Sequence, residues 1–573
     1  MTTTPQPAHA DTAVSVSPTR PGSAPPLRTE TPPPPPSRAI PTDFRSSLSA
    51  WWSTSSYKEA RLAEERLLRR MASFEPTPPS TLTESKGWFG LSRGTHNSAA
   101  ASRADGAMPA MTAEQANMDD SEIGQIKEPI SIKGTGLQAT LRNVFIPTPN
   151  PADAPQHPAD PRESSSSAAS SSTDLSSAAS ASTSTHVKKH HCKHHKDKDG
   201  KLVDYINTLE VTSPENKQSK EAVVVLHGYA AALGFFFRNW ESISVSSAAT
   251  GRRTFFLDWL GMGLSSRPSP SLLASSANTP VPSRVARAEH FFLSSLESWR
   301  ASVGVEKMVL VGHSLGGYLA SAYAVRYPER VSGLVLVSPA GVPHGPEYVR
   351  YPLTAELGSR ASQERRNEIT SPPESPSELE DATNAADAEI NSGGRAHEAK
   401  GEAKNWQKDS SMLRKGMMKF FVWGWERGLS PFMFLRGAGP LGPLWVGKYS
   451  ARRFASQTEE DVRDLHAYIY GTSIMKGSGE YCISHILAPG AYARIPIVDR
   501  ISRLKVPVTF MYGDNDWMDV EGGRASVEAL KEAGNSNATC HVVPKAGHHL
   551  YLDNPEFTNK LLDHTIKAVP KLA

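Results

Sequence analysis

The stretch Met308-Val-Leu-Val-Gly-His-Ser-Leu-Gly-Gly-Tyr-Leu-Ala320 decides the fold. Its first half is an unbroken apolar, largely β-branched run, the composition of a strand buried on both faces in a parallel sheet. Its second half is rich in small residues and continues through Ser321-Ala-Tyr-Ala-Val-Arg-Tyr327, which predicts a helix ending before Pro328. Between the two lies Gly312-x-Ser314-x-Gly316, the spacing of a sharp strand-to-helix elbow in which glycines let the backbone pass close to its neighbours. Such an elbow lifts the Ser314 hydroxyl out of the sheet. It also leaves the Leu315 N–H at a helix N-terminus, aimed at a developing oxyanion.

A serine hydroxyl is a weak nucleophile at neutral pH and needs a base within hydrogen-bond reach. Where a serine sits on such an elbow, the chain order is serine, acid, histidine. His548, in Ala546-Gly-His-His549, follows the last strand, where a loop brings it back over Ser314. The acid is expected after the strand ending at Tyr512, and Gly513-Asp514-Asn515-Asp516-Trp-Met-Asp519 offers three carboxylates. Asp516, three residues after the glycine, has the usual spacing. Asp519 is the runner-up, and Asp514 is read as shaping the turn. Leu226-His-Gly-Tyr229 supplies the other half of the oxyanion hole, through the Tyr229 N–H opposite that of Leu315.

Around this core the alternation is strand, helix, strand. Apolar runs at 223–229, 255–259, 331–339, 506–512 and 539–543 are separated by helical patterns such as 286–302, and 130–133, 141–146 and 205–211 read as earlier strands. The expected fold class is therefore α/β, a mostly parallel central sheet with right-handed crossovers. The domain is expected over 126–573, with a low-complexity insert at 150–200 and a cap insertion at 344–500 that is disordered from about 354 to 411. The cap turns aromatic at Phe420-Phe-Val-Trp-Gly-Trp425 and Phe432-Met-Phe-Leu435, interleaved with Arg and Lys, as expected of a helical lid over a site. The His-Lys tract at 186–196 is read as a solvated basic loop.

Ahead of the domain, 1–44 reads as a disordered tail with polyproline character at Pro32–Pro36, 45–75 as an amphipathic helix, and 76–125 as a linker. Trp51, Trp52 and Tyr57 precede a pattern that puts Ala60, Ala63, Leu67 and Met71 on one face. Two placements fit this segment, a membrane interface and a dock on the core. The net charge of +3 produces no whole-chain field for nucleic acid. Cys192, Cys482 and Cys540 are too far apart in sequence for a disulfide framework or a zinc site, and read as a reducing, intracellular compartment. No cofactor or metal is expected. No apolar run reaches the roughly 18 residues of a spanning helix, and the N-terminus lacks a secretory h-region.

His227-Gly-Tyr229, Asp258-Trp-Leu-Gly-Met-Gly-Leu-Ser-Ser-Arg-Pro268, the Gly312–Gly317 elbow and Gly547-His-His-Leu-Tyr-Leu-Asp553 together resemble one α/β-hydrolase subfamily. It holds the α/β-hydrolase domain proteins four and five, the lipid-droplet coactivator of triglyceride lipase among them, and the fungal mitochondrial cardiolipin-specific deacylase. The tryptophan pair and Leu435-Arg-Gly-Ala-Gly-Pro-Leu-Gly442 resemble it too. The resemblance implies the α/β-hydrolase fold and a serine-dependent acyl hydrolase acting on membrane glycerophospholipid, with cardiolipin favoured. It implies a membrane-associated enzyme, with the mitochondrion favoured over lipid droplet or cytosol, and the Lys and Arg beside the aromatic stretches suit an anionic membrane surface. The coactivator branch has Asn at the nucleophile position, whereas this chain has Ser314. Relatives differ in whether the acid stands at the place of Asp516 or of Asp519. His548-x4-Asp553 also matches the acyltransferase signature associated with the subfamily, which implies lysophosphatidic acid acyl transfer as an alternative. Against it, Asp553-Asn-Pro-Glu556 reads as a helix start with Asp553 as its cap. A non-catalytic lipid-surface regulator of a lipase is the alternative from another class.

Overall fold

The computed structural model describes residues 34–54, 56–71, 125–155, 195–196, 202–273, 279–345, 420–455 and 457–571. Most of the tail, the linker, nearly all of the 150–200 insert and the first half of the cap insertion lie outside the described residues.

Among them one sheet carries the domain. Its first strands, β1 (Ile126–Ile132), β2 (Leu137–Pro147), β3 (His195–Lys196) and β4 (Leu202–Thr212), pair antiparallel. β3 is formed by the last two residues of the His-Lys tract, so that end of the tract is a strand rather than a loop. β5 (Glu221–Leu226), β6 (Arg253–Leu257), β7 (Lys307–His313), β8 (Val331–Val337), β9 (Val508–Gly513) and β10 (Ala538–Val543) are parallel to one another. The strand order is β1-β2-β4-β6-β5-β7-β8-β9-β10, with β3 on β4. Every residue of β5, β6 and β9 is buried, as continuous apolar strands covered on both faces must be. Register sets the site: Leu226 of β5 lies beside Gly312 of β7, and His313 beside Val337 of β8. The turns 227–229 and 314–315 therefore leave the sheet side by side.

The segment expected as one amphipathic helix is two, α1 (Phe44–Ser53) and α2 (Ser56–Leu68). Ala60, Ala63, Leu67 and Met71 are buried in the same apolar cluster as Leu141, Leu209 and Val223. The face of α2 is thus part of the hydrolase core, which decides between the two placements in favour of the dock on the core and corrects the domain boundary at 126. The physical reason is that the opposite face is buried as well. Arg61 and Glu64 are fully inside, paired at 3.1 Å, and Glu64 also accepts from the Tyr468 hydroxyl (2.7 Å) and the Asn207 amide (3.1 Å). Arg61 donates in addition to Asn143 and Asn207. Charges that look like a solvent face in sequence are here neutralised by partners from β2, β4 and the cap. Residues 34–43 belong to the domain too: the Arg66 guanidinium donates to the Pro35 carbonyl, to Ser37 and to Asp464.

The crossovers are α3 (Trp240–Ala249), α4 (Val281–Ser302) and α5 (Leu315–Arg326). Between β8 and β9 the described cap residues form α6 (Pro431–Gly437), α7 (Leu441–Arg453) and α8 (Glu459–Ser473). α9 (Val520–Glu532) and α10 (Pro555–Ala568) complete the second layer. α8 packs against α2, and α1 is tied to α7 through Ser47, whose hydroxyl donates to the Pro440 carbonyl and accepts the Leu444 N–H at 3.0 Å. Trp52 on α1 is 79% exposed, so one of the two tryptophans stays off the core. Among the described residues no helix is long and apolar enough to cross a membrane.

Candidate active site

Ser314 stands at the turn between β7 and α5 with φ 52° and ψ −120°, a conformation that L side chains adopt only when their surroundings over-determine it. The over-determination is visible. The Ser314 N–H donates to Val337 (3.0 Å), and its carbonyl accepts from Gly317 (2.9 Å) and Ala340 (3.0 Å). A side chain on Gly316 would meet the Leu226 and His227 carbonyls at 2.5 Å, and one on Gly312 the Gly316 carbonyl at 2.5 Å. Small residues are therefore what lets the elbow turn. Leu315 opens α5, so its N–H has no preceding turn to donate into.

The facing loop is held by His227. The Trp259 N–H donates to its Nε2 (3.1 Å), so the proton sits on Nδ1, which donates to the Gly228 carbonyl (2.7 Å). Burial holds the imidazole below its ordinary pKa and hence neutral, against the pull of Asp258. A Cβ on Gly228 would lie 2.8 Å from that of Ser314, which brings Tyr229 alongside the elbow. Asp258 anchors the other side, accepting the N–H groups of Leu233 and Leu264 at 2.7 Å.

His548 Nδ1 lies 3.2 Å from Asp516 Oδ1, and Asp516 also accepts the Met518 N–H at 3.0 Å. Burial raises the Asp516 carboxyl, but the facing imidazole and the hydrogen bonds outweigh it and hold the group below the usual carboxylate value. Asp519 is elsewhere: exposed at the start of α9, it caps that helix by accepting the Glu521 N–H at 2.9 Å. Of the two acids left open by spacing, the structure brings Asp516 to the histidine. Asp514 accepts the N–H groups of Lys545 (2.8 Å) and Ala546 (2.9 Å), and so shapes the histidine loop.

Asp553 is not a helix cap. The cap of α10 is Asn554, which accepts the Phe557 N–H at 3.2 Å and immediately precedes the proline at N1. Asp553 instead accepts the Gly547 N–H at Oδ2 (3.0 Å) and the Arg453 guanidinium at Oδ1 (2.9 Å). His313, which the sequence offers only as the variable residue of the elbow, proves to be a support. Burial holds its pKa well down, and its Nε2 donates to the His548 carbonyl at 3.0 Å. No spacing rule points to that contact.

On the cap side Tyr229 makes edge contacts with Phe432 (5.5 Å between centroids) and Trp425 (6.2 Å). A shallow open cleft continues from it, lined by Tyr229, Ala230, Met262, Arg267, Phe432 and Glu480.

With this geometry in place, the model of the alpha/beta hydrolase fold family matches residues 221–555, more than half of the chain. The chain belongs to the α/β-hydrolase fold family. Among curated relatives, a probable 1-acylglycerol-3-phosphate O-acyltransferase of Oryza sativa is 31% identical over 371 residues, 63% of this chain and 70% of its own. A (lyso)-N-acylphosphatidylethanolamine lipase of Mus musculus is 29% identical over 364 residues, 62% of this chain and 82% of its own. A 1-acylglycerol-3-phosphate O-acyltransferase of Rattus norvegicus is 29% identical over 359 residues, 61% of this chain and 79% of its own. The α/β-hydrolase resemblance read from the motifs is thereby shown.

Proposed function

We propose that this α/β-hydrolase is a serine-dependent acyl-transfer enzyme that deacylates membrane glycerophospholipid. The observation that carries the reading is Ser314 at its strained elbow after the central strand β7, with the buried His548–Asp516 pair on the loops that follow β10 and β9. His548 takes the serine proton as Ser314 attacks the ester carbonyl, and returns it to the leaving lysolipid oxygen. Asp516 holds the imidazole with its proton on Nδ1 and stabilises the imidazolium. The N–H groups of Leu315 and Tyr229 receive the oxyanion. Water then releases the acyl group from Ser314.

The lipid class rests on the relatives, whose names all describe phosphate-bearing acyl lipids. Cardiolipin is the diacyl substrate to test first. Access from the bilayer is supported by the exposed faces of the joined helices α1 and α7, with Phe44, Leu48 and Trp52 on one and Leu441 and Trp445 on the other. Lys448 and Arg452 continue the exposed stripe of α7, suited to an anionic surface. The protein is accordingly read as a peripheral membrane enzyme, with mitochondrial membranes first among the candidates.

A second reading is lysophosphatidic acid acyl transfer, favoured by the names of the rice and rat relatives. It does not need Asp553 as part of a His-Asp pair, because both Asp553 oxygens are engaged elsewhere. A lysophosphatidate hydroxyl that replaces water at the acyl-enzyme takes the acyl group from Ser314 as phosphatidate and gives its proton to His548. The experiment that tests both presents vesicles of cardiolipin or phosphatidylcholine, with and without lysophosphatidate, to the wild type and to Ser314→Ala. The expected result is lysolipid release, or acyl movement to lysophosphatidate, that depends on Ser314. Equal turnover by the variant would remove the Ser314-dependent reading, and no turnover by the wild type would leave the lipid-surface regulator.

A further inference from the structure

Asp553 and Arg453 belong to neither the triad nor a cap, and their position asks for an account. The loop carrying His548 has its N–H groups at 545, 546 and 547 taken by two carboxylates. Asp514 takes the first two and lies on the same turn as Asp516. Asp553 takes the third, on the residue directly before His548, and this is the carboxylate that the cap reaches. Arg453 is the last residue of α7, and its ion pair with Asp553 is largely shielded, at 14% and 21% side-chain exposure. The other end of α7 carries Leu441 and Trp445 on its exposed face and is tied to α1 through Ser47. A single rigid helix therefore runs from the apolar outer surface to the loop that presents the histidine.

We infer that Asp553 is a positioning residue for His548, and that Arg453 makes this positioning depend on where the cap helix α7 sits. The inference rests on the acyl-transfer reading of Ser314 and His548. Gly547 has little conformational preference of its own, so the direction of its N–H depends on the acceptor. With Arg453 in place, the Asp553 carboxylate is charged and oriented, and a charge-assisted bond holds the loop. With Arg453 withdrawn, Asp553 is free to turn to solvent and the loop loses its third tether. A lipid surface that seats α7 against the domain closes the latch. The latch thus gives the His548-x4-Asp553 spacing a mechanical role, with no proton passing through Asp553.

The test is a double-mutant cycle in the full chain: Arg453→Ala, Asp553→Asn, the double variant, and Arg453→Lys as the conservative control. Asn at 553 retains one acceptor for Gly547 but presents no charge to Arg453. The readouts are kcat and KM on a short soluble ester, turnover on anionic vesicles, and a melting curve. Each single substitution is expected to lower kcat by about 10- to 100-fold, the scale of a small misplacement of a reacting group, with KM within about twofold. The double variant should be no worse than the weaker single, because both remove one link. Arg453→Lys should recover at least half of the turnover on vesicles. Losses that multiply in the double variant, or a lowered melting point with kcat unchanged, would overturn the latch. A wild type that turns over no ester and reacts with no fluorophosphonate would instead remove the acyl-transfer reading, and the positioning role with it.

Discussion

Replacing Asp516 by Asn separates the two carboxylates that the sequence left in competition. The pair Asp516–His548 is almost wholly inside, with side-chain exposures of 1% and 6%, and its atoms are 3.2 Å apart. When the imidazole takes the serine proton, a full positive charge forms beside the carboxylate. At an effective dielectric of about 20, unit charges at that distance attract by about 5 kcal/mol, which is lost when the carboxylate becomes an amide. At about 1.4 kcal/mol per decade, that is a fall in kcat of roughly 10³- to 10⁴-fold. The amide also favours the wrong tautomer, which acts in the same direction. Asp519→Asn is the matched control. Asn caps a helix as well as Asp, so the Glu521 N–H stays satisfied and kcat should remain within about twofold. The assay is kcat on a short soluble ester near pH 8 beside a melting curve for each variant. A larger loss from Asp519→Asn, or more than a tenth of wild-type kcat in Asp516→Asn, would refute the assignment.

Three further outcomes follow from the packing. Burial pushes the Glu64 carboxyl up to about 7 despite Arg61, so the folded chain holds a proton that the unfolded chain loses near 4.5. Stability from this group is therefore full below about 4.5 and falls by roughly 3 kcal/mol as pH rises to about 7. The melting temperature of the wild type relative to Glu64→Gln should drop across that window, and a constant difference from pH 4.5 to 8 would contradict it. Gly316→Ala would drive a Cβ to 2.5 Å from two carbonyl oxygens of β5 and its following loop, and should cost at least about 3 kcal/mol along with most esterase activity. A variant that melts with the wild type would show that the elbow has slack. Trp52→Ala with Trp445→Ala should weaken sedimentation with cardiolipin vesicles at least about fivefold, roughly 1 kcal/mol, while sparing the soluble ester. Unchanged sedimentation would end the membrane role of these helices.

The elbow, the strand rhythm and the serine–acid–histidine order were legible because each rests on local chemistry: β-branched runs, glycine spacing and a fixed chain order. Asp516 and Asp519 could not be ranked with certainty from spacing, because both follow the same strand. The cap geometry of α9 decides between them. For α2 the sequence leaves a membrane interface and a dock on the core equally open, for a different reason. Its Arg61 and Glu64 read as a wet face, and only the long-range partners Asn143, Asn207 and Tyr468 make burial tolerable. Asp553 was misread as a cap because Asp-Asn-Pro offers two cap residues in succession, and the bond to Gly547 closes a loop that no helical or strand period describes. His313 carried no signal at all, since its contact is to a backbone carbonyl 235 residues away.

The measurement that bears most directly on the account is covalent labelling of the full chain with a fluorophosphonate, followed by mass spectrometry of the peptide spanning the elbow. The predicted result is one stoichiometric adduct, on Ser314, that is absent in Ser314→Ala and forms at least about 10³-fold more slowly in Asp516→Asn. An unlabelled Ser314 in folded wild-type protein, or an adduct on another residue that parallels the loss of activity, would contradict it.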